Sequence, residues 1–434
     1  MEISNSDYKF RYTGIFSLNY FIQGMNQGIF TSVIPVYLFT VLPSVDLAAL
    51  SFMLSFVFIP FILKLIYGIL GDKISSRRFG RRKPWIVGAA SFSGLMWLII
   101  TILLTINPLS AMSIFTYAGF FVVLGIAMAD TAMDGFIIDI CPKELLGRTT
   151  GMVWACRSVG IIVGGPLILL LLGFVPIFSV FILLGLITII FSTITLTVKH
   201  KPITKDINMV SNLKVMFKKR ENWKVYAFSF FMAIVDGVIF VFLALFILIQ
   251  LGFVAAAGAT TSILEEDISL YPPQAVITFL TGIGVLAGAI IGGTVADKKS
   301  RRTAFYTSIL LTAGSLGLLL IPLPSTISLI ILFFAVLVGS SSGWSNSAFS
   351  AIATQYSQQY PEAPSTYYSI CTSFINLGTQ IGLIATGLVF DTIAGVTADV
   401  LLIFSIIFLT MIILSSLAII PFLFLNRNLY EIRS

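Results

Sequence analysis

Five charged residues stand inside long apolar runs of this 434-residue chain: Lys64, Asp130, Asp134, Arg157 and Asp236. A charge within a membrane helix costs about 2.5–3.5 kcal/mol on insertion scales, so each needs a partner or a task. Asp130 and Asp134 lie one helical turn apart on one face of their run. Arg157 falls at a depth close to Asp130, and Lys64 joins the same slab, whereas Asp139 at the inner end of the run should be wet. Two acids and two bases can neutralise one another as a static brace, with Asp130 holding Arg157. Alternatively, one carboxylate releases its partner and takes up a proton during a working cycle. Asp236 differs, because no Lys or Arg stands at comparable depth in the second half of the chain. It reads as a coupling or substrate-binding carboxylate, or else as a protonated group in a helix–helix hydrogen bond. Sodium could replace the proton, with Asp130 and Asp134 among its ligands.

Carboxamides mark further candidate positions. Asn19, Gln23, Asn26 and Gln27 recur at three- and four-residue steps in the first apolar run, as on one helix face. Trp344 and Asn346 in the tenth run, with Asn376 and Gln380 in the eleventh, add an aromatic plate and more donors. Such groups suit a neutral polyhydroxylated ligand, though polar side chains also tie membrane helices together. Three cysteines and a single histidine offer no metal-ligand spacing, and no phosphate-loop pattern occurs. No metal, cofactor or enzyme chemistry is expected.

The elements that must position these residues follow from composition. Hydrophobic residues make up 57% of the chain and charged ones 10%, against about 25% charged in soluble domains. That excludes a large soluble globule and a disordered chain. Apolar runs of about 20 residues, each sufficient to span a bilayer, fall near 14–41, 47–70, 85–106, 112–139, 150–172, 175–198, 224–250, 273–296, 304–322, 326–353, 366–390 and 399–425. The expected fold is an all-α membrane protein of twelve transmembrane helices. Of 26 Lys and Arg, all but Lys64 and Arg157 lie in the tails and even-numbered loops, and no odd-numbered loop holds one. By the positive-inside rule both termini are cytoplasmic, and the net charge of +7 serves orientation rather than nucleic acid. The chain divides into a six-helix bundle over 1–198, a basic cytoplasmic linker over 199–223, and a second bundle over 224–434. Within the linker Met209, Leu213, Met216 and Phe217 recur at helical spacing among lysines, as in an amphipathic helix on the inner leaflet or a solvated basic segment.

The halves repeat each other. Span two ends in Gly68-Ile-Leu-Gly-Asp72-Lys73 and span eight in Gly293-Thr-Val-Ala-Asp297-Lys298, each followed by an Arg pair. Gln27-Gly28-Ile-Phe30 of span one answers Asp236-Gly237-Val-Ile-Phe240 of span seven, and Gly160 and Gly164 of span five answer Gly378 and Gly382 of span eleven. Duplication of this kind is expected of carriers that rock two halves about a central site.

The turn after span two, followed by Gly80-Arg81-Arg82, resembles the loop signature of the major facilitator superfamily, with a degenerate copy after span eight. The resemblance covers nearly the whole chain and implies two pseudo-symmetric six-helix halves. Six residues, Ile74 to Phe79, separate Lys73 from Gly80 where the general motif has one. This longer form is similar to that of glycoside–cation symporters and plant-type sucrose carriers. Asp130-Thr-Ala-Met-Asp134 through Gly151 is more similar to muropeptide permeases, acetyl-CoA carriers and pigment-assembly proteins. The resemblance also implies a conformational latch, with Asp72 pairing Arg81 against span eleven and Asp297 with Arg301 as its copy.

The function implied is secondary active transport, by proton-coupled symport of a small polar solute, a sugar or glycoside first. Its partners would be that solute, a coupling proton or sodium, and the lipid bilayer, in a monomeric multi-pass protein of the cell membrane. Two alternatives stand: a proton-driven exporter of amphipathic compounds, and a membrane assembly or binding protein that does not transport.

Overall fold

The computed structural model describes residues 8–73, 80–199, 209–257, 260–263, 270–321, 329–360 and 364–431. The loop Ile74–Phe79 lies outside them. Because lipid offers no hydrogen bonds, an apolar run must satisfy its amides internally, and helix is the local solution. In chain order, α1 (Phe10–Gly28) passes through a π-helical turn, Ile29–Val33, into α2 (Ile34–Val41). Next, α3 (Leu47–Phe58) leads through a 3-10 turn, Ile59–Phe61, to α4 (Lys64–Lys73). There follow α5 (Lys83–Ile106), α6 (Ala111–Ile140), α7 (Lys143–Ile162), α8 (Ile168–Leu171) and α9 (Ile177–Ile194). After the linker come α10 (Met209–Lys218), α11 (Arg220–Met232), α12 (Asp236–Gln250), α13 (Tyr271–Lys298) and α14 (Arg301–Leu318). The chain closes with α15 (Ile330–Ser357), α16 (Pro364–Ala394), α17 (Val400–Ser416), α18 (Ile419–Leu423) and α19 (Arg427–Tyr430).

Among the described residues, 10 helices are long and apolar enough to cross a bilayer. Helix also fills the other two expected stretches. There α1 is diluted by four carboxamides, and α14 opens on Arg301 and Arg302. The breaks have local causes. Proline lacks an N–H and clashes with the carbonyl four residues back, and a π turn absorbs that misfit. Pro166 sits inside such a turn, Val163–Leu167, and Pro35 follows the one at Ile29–Val33. Large apolar side chains such as Leu95, Ile102, Leu286 and Ile290 remain exposed on the helix faces, as lipid-facing positions require.

The helices form two compact units, one of Met1–Ile34 and Phe56–Val210, the other of Pro35–Ser55 and Ser211–Ser434. In the first, α1 lies directly on α7. A Cβ at Gly160 would stand 2.1 Å from the Phe21 carbonyl oxygen, and one at Gly164 2.2 Å from that of Met25. In the second, α16 lies on α11 and the turn after it: a Cβ at Gly378 would stand 2.1 Å from the Phe230 oxygen, and one at Gly382 1.9 Å from that of Ile234. The glycine pairs matched in the sequence therefore do the same work in both units.

The second unit also takes in the segment 35–55. Within it the Ser51 hydroxyl of α3 donates to the Leu383 carbonyl of α16 at 2.6 Å. Strands β1 (Val45–Asp46), β2 (Val254–Ala257) and β3 (Thr260–Ile263) form a small antiparallel sheet in the order β1-β3-β2, with Val45 opposite Thr261 and Val254 opposite Ile263. This sheet is an addition to the expected helical architecture. The linker helix α10 turns Leu213 and Met216 into its own unit, where Asn222 donates to the Met216 carbonyl at 2.6 Å.

Candidate functional site

The first unit carries its four intramembrane charges on three helices, and α1 supplies neutral partners. Lys64, the first residue of α4, pairs with Asp130 of α6, and both are buried. One turn along α6, Asp134 accepts a hydrogen bond from the Tyr20 hydroxyl of α1. On α7, Arg157 Nη2 donates to Gln27 Oε1 at 3.2 Å, and its guanidinium carbon stands 4.9 Å from the centre of the Trp154 ring. The expected Asp130–Arg157 brace is thus replaced by Asp130–Lys64. The reason is reach: the 3-10 turn at Ile59–Phe61 ends just before Lys64 and delivers its long side chain to α6. Among the described residues, no carboxylate lies within ion-pair distance of Arg157.

The amides of α1 share one face, about 100° wide, whose two edges meet different neighbours. Asn19 donates to Thr195 Oγ1 at 3.2 Å, and Asn26 accepts from Trp97 Nε1 at 2.7 Å, so this seven-residue pair ties α1 to its neighbours. Gln23 and Gln27, four residues apart, belong to the stripe that carries Tyr20. Among the described residues Gln23 Oε1 is buried without a partner, and the residue lines a small cavity of about 20 Å³ with Asn19 and Thr188. Tyr20 was missed in the sequence, although it precedes Gln23 by three positions and Gln27 by seven on that stripe.

At the C-terminal end of α6, Asp139 is paired rather than wet. It receives Arg81 Nη2 and Arg82 Nε, each at 3.1 Å. Gly80, with φ +78, supplies the left-handed residue that turns the chain into this pair. Gly135 makes room for Arg82, whose Cζ would lie 2.6 Å from a Cβ there. Gly68 sits on α4 in ordinary contact with Thr131. The helix α4 includes Asp72 and Lys73, whose side chains lie outside the described residues.

In the second unit, span seven is interrupted at 233–235, and Asp236 is the first residue of α12. It is buried and accepts a hydrogen bond from the Ser342 hydroxyl of α15 at 2.9 Å. Asn346, one turn further along α15, donates to the Ser342 carbonyl at 3.1 Å. Asn376 and Gln380 stand one turn apart on α16, and Gln380 Oε1 is buried without a partner. Trp344 does not join this group. Two positions on a helix are about 200° apart, and Trp344 donates to the Ala304 carbonyl at 3.0 Å while packing on Gly292.

In the copy of the latch, Asp297 is exposed and makes no ion pair among the described residues, while Arg301 turns inward to the Tyr430 carbonyl at 2.5 Å and Gln355 Oε1 at 3.0 Å. The Glu431 carboxylate accepts from the backbone N–H of Arg301 and Arg302, at 3.1 and 3.0 Å, and so caps α14. Desolvation lowers the pKa of Arg301 from its ordinary value, and Asp297 and Glu431 oppose that shift.

Two helical bundles that share a glycine-packed design, each with buried polar groups among broken helices, define a class. The model of the Major Facilitator Superfamily matches residues 16–265, and the chain belongs to that superfamily. The Putative transporter AmpG 1 of Rickettsia conorii (strain ATCC VR-613 / Malish 7) is 23% identical over 347 residues, 77% of this chain and 81% of that protein. Among solved structures, a D-xylose-proton symporter matches with TM-score 0.67 at 14% identity, over 94% of this chain and 97% of its own. The nucleoside transporter NupG matches with TM-score 0.65 at 14% identity, over 95% and 99%. A bacterial homolog of the human lysosomal transporter Spinster gives 0.65 at 14%, over 94% and 95%. At these identities the likeness to the solved structures is one of fold. The protein is a multi-pass integral membrane protein of a transporter family.

Proposed function

We propose that this protein is a proton-coupled symporter of a small polar solute, a sugar or glycoside first, working by alternating access of its halves 1–198 and 224–434. It acts as a monomer in the cell membrane, with both termini cytoplasmic. The observation that carries the reading is Asp236. It opens a broken helix, is buried, and has the Ser342 hydroxyl and the Asn346 side chain as neutral hydrogen-bond partners, with no Lys or Arg in ion-pair distance among the described residues. A carboxylate so placed can be neutral with its proton or charged beside a bound solute, and passage between the two couples proton to cargo. Asn346, Asn376 and Gln380 supply amide groups on the neighbouring helices for hydroxyls of the solute.

The test is solute-evoked proton movement in proteoliposomes with an internal pH dye, across sugars, glycosides, peptides and organic acids. Acidification of the lumen with one solute, absent from empty liposomes, is the expected result. Alkalinisation would replace symport by export. Silence in proton and sodium assays alike would leave an assembly or binding role instead.

A further inference from the structure

The four charges of the first unit are unequally served. Lys64 and Asp130 close on each other, and Asp134 is engaged by the Tyr20 hydroxyl. Arg157 has a neutral partner, the Gln27 carbonyl oxygen at 3.2 Å. A guanidinium presents five N–H donors in a planar fork, shaped for the two oxygens of a carboxylate or phosphate. Buried and half-buried cations in a membrane require a counter-charge; among the described residues no carboxylate lies within ion-pair distance of Arg157, and Asp130 and Asp134 act on it only from further off. Beside the fork stands Trp154, 43% exposed, with its ring 4.9 Å from the guanidinium carbon and 6.2 Å from the Tyr20 ring. Gln27 uses its carbonyl oxygen on Arg157, which leaves its amide N–H groups to donate elsewhere.

We propose that the transported solute carries an anionic group, a carboxylate or phosphate, which Arg157 receives in its fork while Gln27 donates and Trp154 covers the adjoining ring of the solute. The proposal deepens the symport reading and rests on it: it narrows the polar solute to an acidic one. It also gives the first unit a binding role to set beside the carboxylate of the second. Stacking of a ring face on Trp154 favours a cyclic solute, such as a sugar acid, over a bare inorganic anion.

Full-length protein in nanodiscs of phosphatidylcholine alone is titrated with D-glucuronate, inorganic phosphate and D-glucose, following tryptophan fluorescence and thermal stability. D-glucuronate should bind tightest, at least about 10-fold above D-glucose, as a charge-assisted contact implies. Arg157→Gln should lose about 10- to 100-fold for the acid, and Arg157→Lys should fall between, because a point charge replaces the fork. Trp154→Phe should remove the fluorescence change and keep the thermal shift. D-glucose binding as well as D-glucuronate, or an acid affinity untouched in both Arg157 variants, overturns the proposal. An acidic lipid headgroup offers the same chemistry. Stabilisation by added phosphatidylglycerol that needs Arg157 and blocks D-glucuronate would therefore assign the site to lipid and overturn the solute reading. The proteoliposome assay separates the two claims. Acid binding at Arg157 without any coupled uptake would end the symport reading alone, whereas neutral-sugar symport undiminished in Arg157→Gln would end this proposal alone.

Discussion

Both units break a membrane helix and start the next one on a charged residue, yet the two charges are treated in opposite ways. Lys64 opens α4 and Asp236 opens α12. A helix N-terminus carries about half a positive charge, which favours an acid there and penalises a base. Asp236 therefore has the sign that a helix start favours, and its partners are the Ser342 hydroxyl and the Asn346 side chain. Lys64 is in the wrong place for the dipole, and Asp130 closes on it. Under the proposed mechanism, fixed pairing suits a brace, and hydroxyl and amide surroundings suit a working group.

This contrast can be broken most sharply at Asp236. Asp236→Asn should abolish proton-coupled accumulation while the protein folds and inserts normally, and retained accumulation would remove the residue from the mechanism. Next in size, Asp130→Asn leaves Lys64 buried without a counter-charge and should cost about 3–5 kcal/mol, read as a fall in thermal stability. Replacing the pair together, by Lys64→Met with Asp130→Leu, should restore much of it, and stability unchanged in the single variant would end the brace. The shared design of the units is sharpened by Gly164→Ala and Gly382→Ala. Each drives a methyl group into a facing carbonyl and should cost about 1–3 kcal/mol. A large effect in one unit and none in the other would show that the two glycine contacts are not equivalent. The smallest effect is expected at Glu431→Gln, about 0.3–1 kcal/mol from losing the charge that caps α14, and it should shrink as salt is raised.

Much of the fold was legible because lipid imposes long apolar runs, and the Gly160–Gly164 and Gly378–Gly382 spacing recurred at the level of backbone contact. The site was legible as a set of residue types and less so as a set of partners. Which acid meets Lys64 depends on the break after Pro60, and side-chain reach across helices leaves no trace in sequence spacing. Trp344 and Asn346 stand two positions apart, and 100° per residue sends them to different neighbours. Glu431 was invisible because a carboxylate at the end of the chain gives no sign of the helix start it will cap. The sheet had a signal, the β-branched Thr260, Thr261 and Ile263, but two residues of β1 in a short loop had none.

The second unit is built from two stretches of chain separated by Phe56–Val210 of the first, and synthesis runs in one direction only. Ser51 waits for a partner 332 residues downstream. At about 5–20 residues per second, that interval is roughly 20 s to 1 min of translation. During it the segment from Pro35 to Ser55 has left the ribosome and lacks its final neighbours, so the early chain is finished by the late chain. Insertion intermediates that stall between the two bundles should therefore keep Val45 and Asp46 open to proteases and labels until Thr260 and Thr261 of β3 have arrived.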